Sequence, residues 1–217
     1  MSRLVLTADG SHTLWSEQTQ QWYHSVHGAW QESQRVFIEL GLQYVAKQHT
    51  DIQLFEMGFG TGFNALLSLV EAEKLGVNVH YTGVEAFPIS TEEAQGLNYD
   101  QLLQTQWLQT LHATPPAEIV RLTPLFTFQK FHTTLQAFSS TERYHLIYFD
   151  AFASNAQPEL WSVEVFTQLA DMLHPEGVLT TYSSKGDVRR NLQAAGFRVE
   201  KHPGPGRKRE VIRAIKH

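Results

Sequence analysis

The sequence predicts an α/β fold: a parallel sheet that ends in an antiparallel C-terminal hairpin, with a small N-terminal extension. Three observations carry that expectation. From residue 52 onward, short apolar runs alternate with amphipathic helical stretches, the pattern of a parallel sheet covered on both faces. The last two runs, residues 197–201 and 210–215, are joined by a loop too short for a crossover helix, so they pair antiparallel. The first 30 residues follow neither pattern. The 217 residues are therefore expected to divide into an extension over 1–50 and one domain over 51–217, long enough for a sizeable core.

In chain order, residues 4–7 and 12–15 flank Asp9-Gly10, a turn pair that favours a β-hairpin. A polar, aromatic stretch over 20–30 follows, containing Trp22, Tyr23, His24, His27 and Trp30. Beyond Glu32, the residues Val36, Phe37, Leu40 and Tyr44 recur at three- and four-residue intervals and predict a helix. Strands are expected over 52–57, 79–84, 126–131, 145–149 and 178–182, the third interrupted by Gln129 and Lys130. Helices are expected over 63–75 and over 159–173, where Trp161, Val165, Leu169 and Leu173 are spaced by four. Ser90-Thr91-Glu92-Glu93 reads as a capping box opening a helix after the second of these strands.

Composition narrows the chemistry. With no cysteine, there is no disulfide framework, no thiolate zinc site, no cysteine-bound iron–sulfur cluster and no cysteine nucleophile. The eleven histidines form no His-Glu-x-x-His motif, so no metal is expected. No apolar run is long enough to span a bilayer, and the N-terminus lacks the longer apolar run and cleavage site of a signal peptide. No membrane association is expected, and the expected setting is the cytoplasm.

The segment Glu56-Met57-Gly58-Phe59-Gly60-Thr61-Gly62-Phe63-Asn64 follows an expected strand and opens an expected helix. Gly58 and Gly60 permit a sharp turn and a close approach to a ligand, and the helix beyond offers free N–H groups. Glu85 lies 25 residues after Gly60, at the end of the next strand, where an acid binds ribose hydroxyls in Rossmann-like folds. A dinucleotide fingerprint would place its third glycine at residue 63, which is Phe63. Instead the spacing is Gly-x-Gly-x-Gly, with Glu56 at the strand end. A carboxylate there holds an ammonium and repels a pyrophosphate, so S-adenosylmethionine (SAM) fits better than NAD. The cofactor-binding candidates are Glu56, Gly58, Gly60, Gly62, Asn64 and Glu85.

The fourth strand runs into Tyr148-Phe149-Asp150-Ala151-Phe152-Ala153-Ser154. Ligands of open α/β sheets sit beyond the carboxyl ends of the strands, which puts Asp150 beside the cofactor site. From here the sequence resembles a known family. Asp150-Ala151-Phe152-Ala153, Gln157-Pro158-Glu159-Leu160-Trp161-Ser162, Val188-Arg189-Arg190 and Gly206-Arg207-Lys208-Arg209-Glu210 carry the likeness. So do Tyr23-His24-Ser25, Gly28-Ala29, Glu32-Ser33 and Val36-Phe37 near the N-terminus. These are similar to the MnmD/MnmC-type tRNA methyltransferases, which complete the 5-methylaminomethyl group on the wobble uridine. The resemblance covers essentially the whole chain. It implies a Rossmann-like SAM-dependent methyltransferase fold, and methyl transfer to the aminomethyl nitrogen of 5-aminomethyl-(2-thio)uridine at tRNA position 34. The FAD-dependent oxidase domain of the bifunctional members has no counterpart in these 217 residues.

Two departures stand out. Many methyltransferases of this fold place an acid after the third strand to bind the adenine amino group. Here His132-Thr133-Thr134-Leu135 follows, leaving backbone groups or a neutral side chain such as Thr133 to do so. Pro175-Glu176-Gly177 stands where the family usually has a second glycine before the fifth strand.

In the implied reaction, positive charge moves onto the substrate nitrogen, and Asp150 beside it stabilises the developing cation and orients the lone pair. Asp150 is also a cofactor-binding candidate, at the boundary of the two ligands. The amine must first lose its proton, to Asp150, to water or to a nearby tyrosine; Tyr23 is the tyrosine placed with Asp150 as catalytic. Tyr23 and Phe152 are expected to wall the acceptor base by stacking, with plain core packing the competing reading of Tyr23. Residues 185–217 hold ten Lys/Arg against three Asp/Glu, a net of +7, while residues 1–184 carry −12. Arg207, Lys208 and Arg209 are the expected phosphate contacts; the competing reading is an edge hairpin protected by charge. Rival functions are a small-molecule amine transferase (aminopropyl- or methyltransferase) on the same fold, or a SAM- or RNA-binding module without catalysis. Intact Asp150 and Glu85 argue against the module.

Overall fold

The structure, a computed structural model, describes residues 3–206 and 209–217. Strands β1 (Leu4–Leu6) and β2 (His12–Ser16) form the expected hairpin, with Leu4 opposite Leu14 and Leu6 opposite His12. A two-residue strand β3 (Gln21–Trp22), too short to read from sequence, pairs with β2 and completes a small sheet. The hairpin turn does more than reverse the chain. The Asp9 carboxylate accepts hydrogen bonds from the hydroxyls of Thr7 (2.7 Å) and Ser11 (2.6 Å), and from the backbone N–H of Gln31 (2.9 Å). Gln31 lies in the first turn of helix α1, whose N-cap, Gly28, provides no side-chain cap. Asp9 thus satisfies one of the donors that every helix start leaves open. A side chain at Gly28 would meet the Asp9 carboxylate at 2.7 Å.

Helix α1 spans residues 29–45 in three segments: α-helical Ala29–Ser33, π-helical Gln34–Leu42 and α-helical Gln43–Val45. Val36, Phe37, Ile38, Leu40 and Leu42 are buried, and each such side chain contributes roughly 1.5–3 kcal/mol. Apolar spacing predicts this helix but not its wider π turns. Gly41 lets it lie close to the sheet, since a Cβ there would stand 3.0 Å from the Tyr148 ring.

The main sheet follows: β4 (Asp51–Met57), α2 (Phe63–Leu75), β5 (Asn78–Glu85), α3 (Thr91–Gly96), α4 (Tyr99–Leu103), α5 (Leu108–Ala113), β6 (Val120–Thr123) and β7 (Phe126–His132). Then come β8 (Tyr144–Phe149), a 3-10 turn (Pro158–Trp161), α6 (Val163–Met172), β9 (Leu173–Thr181), α7 (Gly186–Ala194), β10 (Phe197–Pro203) and β11 (Glu210–Lys216). The strand order is β10-β11-β9-β8-β4-β5-β7-β6. The five inner strands β9, β8, β4, β5 and β7 are parallel. β10 and β11 form the expected antiparallel hairpin, and β11 pairs antiparallel with β9. β6, which the sequence did not announce, adds an antiparallel strand at the opposite edge.

The capping box at Ser90 and Glu93 forms as the sequence predicts. The helix expected over 159–173 is instead two pieces. Ser162 adopts an extended backbone and caps α6 by accepting the N–H of Val165, so the four-residue spacing from Trp161 crosses a break. Leu173, expected to end that helix, begins β9. The order of strands reverses at β4, with β5 and β7 on one side and β8 and β9 on the other. That is the position where open α/β sheets bind ligands.

Candidate active site

A cavity of about 680 Å³ opens at the carboxyl ends of β4, β5 and β8. Its floor is the loop from Met57 to Thr61, and its walls include Asn64, Glu85, Asp150, Phe152, Tyr182 and the segment over 20–26 from the N-terminal sheet.

The glycine loop is built by close approach. Gly58 sits at φ 91°, and a Cβ there would stand 2.4 Å from the carbonyl oxygen of Asp150. Gly60, at φ 51°, faces the Tyr23 ring, 3.0 Å from where its Cβ would be. Gly62 lies outside the cavity wall and acts as the left-handed N-cap of α2. Behind the loop, His112 donates from Nε2 to the Thr61 carbonyl (3.0 Å). The buried Lys130 ammonium in turn binds the Leu111 and His112 carbonyls at the end of α5. Burial holds the His112 imidazole neutral, with its pKa pushed down to about 4, and that of Lys130 is pushed down to about 8.

Glu85 closes β5 and is oriented by two backbone donors, Gly60 N–H (2.9 Å) and Phe87 N–H (2.8 Å). Burial raises its pKa, against the lowering effect of these bonds. Glu56, expected to touch an ammonium directly, does not line the cavity. It is fully buried; Tyr81 Oη donates to one oxygen (2.5 Å) and Asn64 Nδ2 to the other (2.8 Å). Burial pushes its pKa up to about 8, although both hydrogen bonds favour the ionised form. Asn64 Nδ2 also donates to Asp150 Oδ2 (2.9 Å), so one amide joins the two acids. Its Oδ1 is buried and has no hydrogen-bond partner among the described residues. Sequence motifs marked Glu56 and Asn64, but nothing in them announced Tyr81 as the partner.

On the acceptor side, Asp150 follows β8, and its backbone N–H binds the Met57 carbonyl (2.9 Å), fixing the acid beside the glycine loop. Phe152 meets Tyr23 edge to face at 5.1 Å, and both line the cavity. Burial, then the nearby charges of Glu85 and Glu93, raise the Tyr23 pKa and keep its phenol protonated. Gln21 ties the N-terminal sheet to this wall, accepting the Ala153 N–H (3.2 Å) and donating to Asn155 (3.4 Å). The loop after β7 contributes Thr133 to Gln136 to the wall, and the Thr133 N–H binds the Glu85 carbonyl (3.1 Å). Arg207 and Lys208 lie outside the described residues; Arg209 is exposed and outside the cavity wall. Among the described residues no group of three His, Asp or Glu side chains is arranged to hold a metal, and no helix is long and apolar enough to cross a membrane.

These residues fit SAM. Glu85 offers carboxylate oxygens to ribose, the glycines let backbone approach, and the unpartnered Asn64 Oδ1 is an acceptor suited to an ammonium. Comparison with known proteins agrees. The sequence profile of a family described as S-adenosyl-L-methionine-dependent methyltransferase matches residues 94–217. The bifunctional protein MnmC of tRNA 5-methylaminomethyl-2-thiouridine biosynthesis from Magnetococcus marinus is 32% identical over 209 residues, 89% of this chain and 31% of that protein. Its counterpart from Pseudomonas entomophila is 30% identical over 223 residues, 92% of this chain and 33% of that protein. The chain thus spans about a third of the length of these curated relatives. The crystal structure of MNMC2 from Aquifex aeolicus superposes with a TM-score of 0.79 at 24% identity, over 99% of this chain and 70% of that one. The sugar N-methyltransferase KedS8 from Streptoalloteichus shares the fold with a TM-score of 0.53 at 14% identity. A glycine loop closed by a buried acid, on this strand order and under this profile, admits one assignment: the chain belongs to the S-adenosyl-L-methionine-dependent methyltransferase family.

Proposed function

We propose that the chain transfers a methyl group from SAM to the aminomethyl nitrogen of 5-aminomethyl-(2-thio)uridine at the wobble position of tRNA, giving the 5-methylaminomethyl form. The observation that carries this reading is Asp150, held at the cavity wall between the glycine loop and the aromatic pair Tyr23–Phe152. An acid beside two rings suits an amine carried on an unstacked base. The similarity to MnmC proteins along 89–92% of the chain supports the same substrate.

SAM supplies an electrophilic methyl group when bound. Gly58, Gly60 and Glu85 hold the nucleoside end, Asn64 the amino-acid end, and Glu56 acts through Asn64. Asp150 faces the acceptor nitrogen and stabilises the positive charge that grows on it. Tyr23 and Phe152 wall the base, Tyr23 staying protonated. We read residues 1–50 as the cap over the acceptor and 51–217 as the methyltransferase domain. Phosphates meet the basic C-terminal segment. β10 runs parallel to β9, so Pro203 and Glu210, between which Arg207, Lys208 and Arg209 fall in the sequence, stand at the cavity end of the sheet. Exposed Lys185 reaches Ser154 on the acceptor loop (2.9 Å). A tRNA substrate puts this reaction in the cytoplasm, with no membrane partner.

The test is mass spectrometry of wobble nucleosides after incubation with SAM and tRNA bearing the aminomethyl group. One added methyl on that nucleoside supports the reading, and transfer only to free amines would replace it with a small-molecule transferase. Asp150→Asn should abolish most turnover while the protein still binds SAM.

A further inference from the structure

The acceptor side of the cavity holds a second acid that the reading above leaves without a role. Glu32 and Ser33, in the first two turns of α1, line the cavity with Phe37. Ser33 is 1% exposed, and its hydroxyl has no hydrogen-bond partner among the described residues. An unsatisfied buried hydroxyl in a cavity wall is a site for a ligand atom. Tyr182, just after β9, and Asp150, just after β8, line the same cavity. Glu32 and Asp150 both lie close enough to the Tyr182 phenol for their charges to add to the effect of its burial and raise its pKa. Tyr182 donates its proton to the Ala151 carbonyl (2.9 Å), which anchors the phenol near both carboxylates.

We propose that Glu32 takes the proton from the acceptor ammonium, while Asp150 orients the nitrogen that results. This rests on the reading of the acceptor as an amine. An alkylamine arrives largely protonated at neutral pH and cannot attack in that form. In the step, the N–H bond breaks, an O–H bond forms on Glu32, and the electron pair stays on nitrogen. The proton then passes from Glu32 to water. The other titratable groups lining the cavity are less suited; burial pushes the His24 imidazole down to about 4, which makes it a weak base. Tyr23 and Tyr182 are held protonated, their pKa values raised by burial first and neighbouring carboxylates second. Asp150 has the other task, orienting the nitrogen, and its place is fixed by its backbone N–H on the Met57 carbonyl. Glu85 is committed to the backbone of Gly60 and Phe87 on the far side of the glycine loop. Glu159 is exposed at the rim. The position of Glu32 is set from outside the cavity: Asp9 holds the adjacent Gln31 N–H (2.9 Å), and the π-helical segment begins directly after Ser33.

The experiment compares wild type, Glu32→Gln and Glu32→Asp by pH profiles of kcat/KM on aminomethyl tRNA. Binding of S-adenosylhomocysteine and of the tRNA itself is measured separately by calorimetry. We expect Glu32→Gln to lower kcat/KM about 100-fold or more near pH 7, the usual reach of a proton-transfer group. The loss should shrink as pH rises, because the free amine no longer needs a base. Cofactor binding stays unchanged, and the preference for aminomethyl tRNA over unmodified tRNA weakens in the binding assay. Glu32→Asp, which keeps the carboxylate, should retain the wild-type profile shape at reduced rate. A Glu32→Gln enzyme with wild-type rate and profile would overturn the proposal, as would a parallel loss of cofactor affinity, which would make Glu32 a cofactor ligand. If wild type itself leaves aminomethyl tRNA unmethylated, the amine reading fails and this inference fails with it.

Discussion

Replacing Gly58 by alanine separates two costs that glycine loops usually confound. At φ 91°, a side chain strains the backbone by about 1–2 kcal/mol. Its Cβ would also stand 2.4 Å from the Asp150 carbonyl oxygen and 3.0 Å from the carbonyl carbon, neither at the end of a flexible side chain. Relieving that contact moves the backbone between β4 and β8 and adds about 1–3 kcal/mol, as overpacking does elsewhere. Gly76, the left-handed C-cap of α2 at φ 68°, is the internal control, because its Cβ would meet nothing within 4 Å. Gly76→Ala should therefore show the backbone cost alone. At ~2–4 °C per kcal/mol for a chain of this size, Gly58→Ala should melt roughly 2–12 °C below Gly76→Ala. A shift of the Asp150 backbone should also slow methyl transfer about 100-fold, the effect of a misplacement near 1 Å. Thermal melts read the first effect and initial rates of methyl transfer the second, with S-adenosylhomocysteine calorimetry checking ligand affinity. Equal melting temperatures for the two variants, with wild-type ligand affinity for Gly58→Ala, would refute the close-approach argument.

Other consequences are equally open to measurement. Glu56 has its pKa raised from 4.5 to about 8, so the folded state binds its proton more tightly than the unfolded chain does. Its contribution makes stability fall as pH rises between those values, by at most about 1.4 kcal/mol per pH unit, and level off above them. Glu56→Gln should flatten that slope in urea titrations run from pH 5 to pH 9. Asp9 behaves in the opposite sense. Burial raises its pKa, but bonds from Ser11, Gln31 and Thr7 lower it further, so its contribution is present above its unfolded pKa and is lost as pH falls through the folded one. Asp9→Ala should cost about 0.5–2 kcal/mol at pH 7, seen in the unfolding midpoint, because it removes the cap of α1. Gln21→Ala should leave the melting temperature nearly unchanged but speed hydrogen exchange at the Ala153 amide, which Gln21 now accepts.

Much of the fold was readable because local chemistry agreed with the global pattern. α2 begins and ends where glycines in left-handed conformations flank an apolar run, and its expected and observed limits coincide. β7 was the least apolar of the expected strands, yet it forms in full. Gln129 finds the Thr82 hydroxyl on the neighbouring strand (2.9 Å), and the Lys130 ammonium finds two helix-end carbonyls. Those satisfactions are tertiary and leave no trace in spacing. The same holds where sequence reasoning fell short. A single serine, Ser162, restarts a helix without disturbing the apolar period, and β6 is only four residues long. In the site, Gly58, Gly60, Glu85 and Asp150 follow from motif and strand position. The burial of Glu56 behind Asn64 does not, because it depends on Tyr81 reaching across from β5.

The single amide of Asn64 also has a bearing on how the molecule comes together in time. Glu85 and Gly60 are 25 residues apart, so this part of the cavity closes within one β-α-β unit. Asn64 and Asp150 are 86 residues apart, and their bond needs β8 docked against β4 across the middle of the sheet. Contacts of such long range carry the larger loop-closure cost and form late in folding. A chain still in assembly therefore has the Glu85 part of the cavity without Asp150 in place. Ligand that needs both parts stabilises only the finished molecule, by about 2.7 kcal/mol at a hundred times its Kd. Cofactor supply and completion of folding are coupled at one side chain.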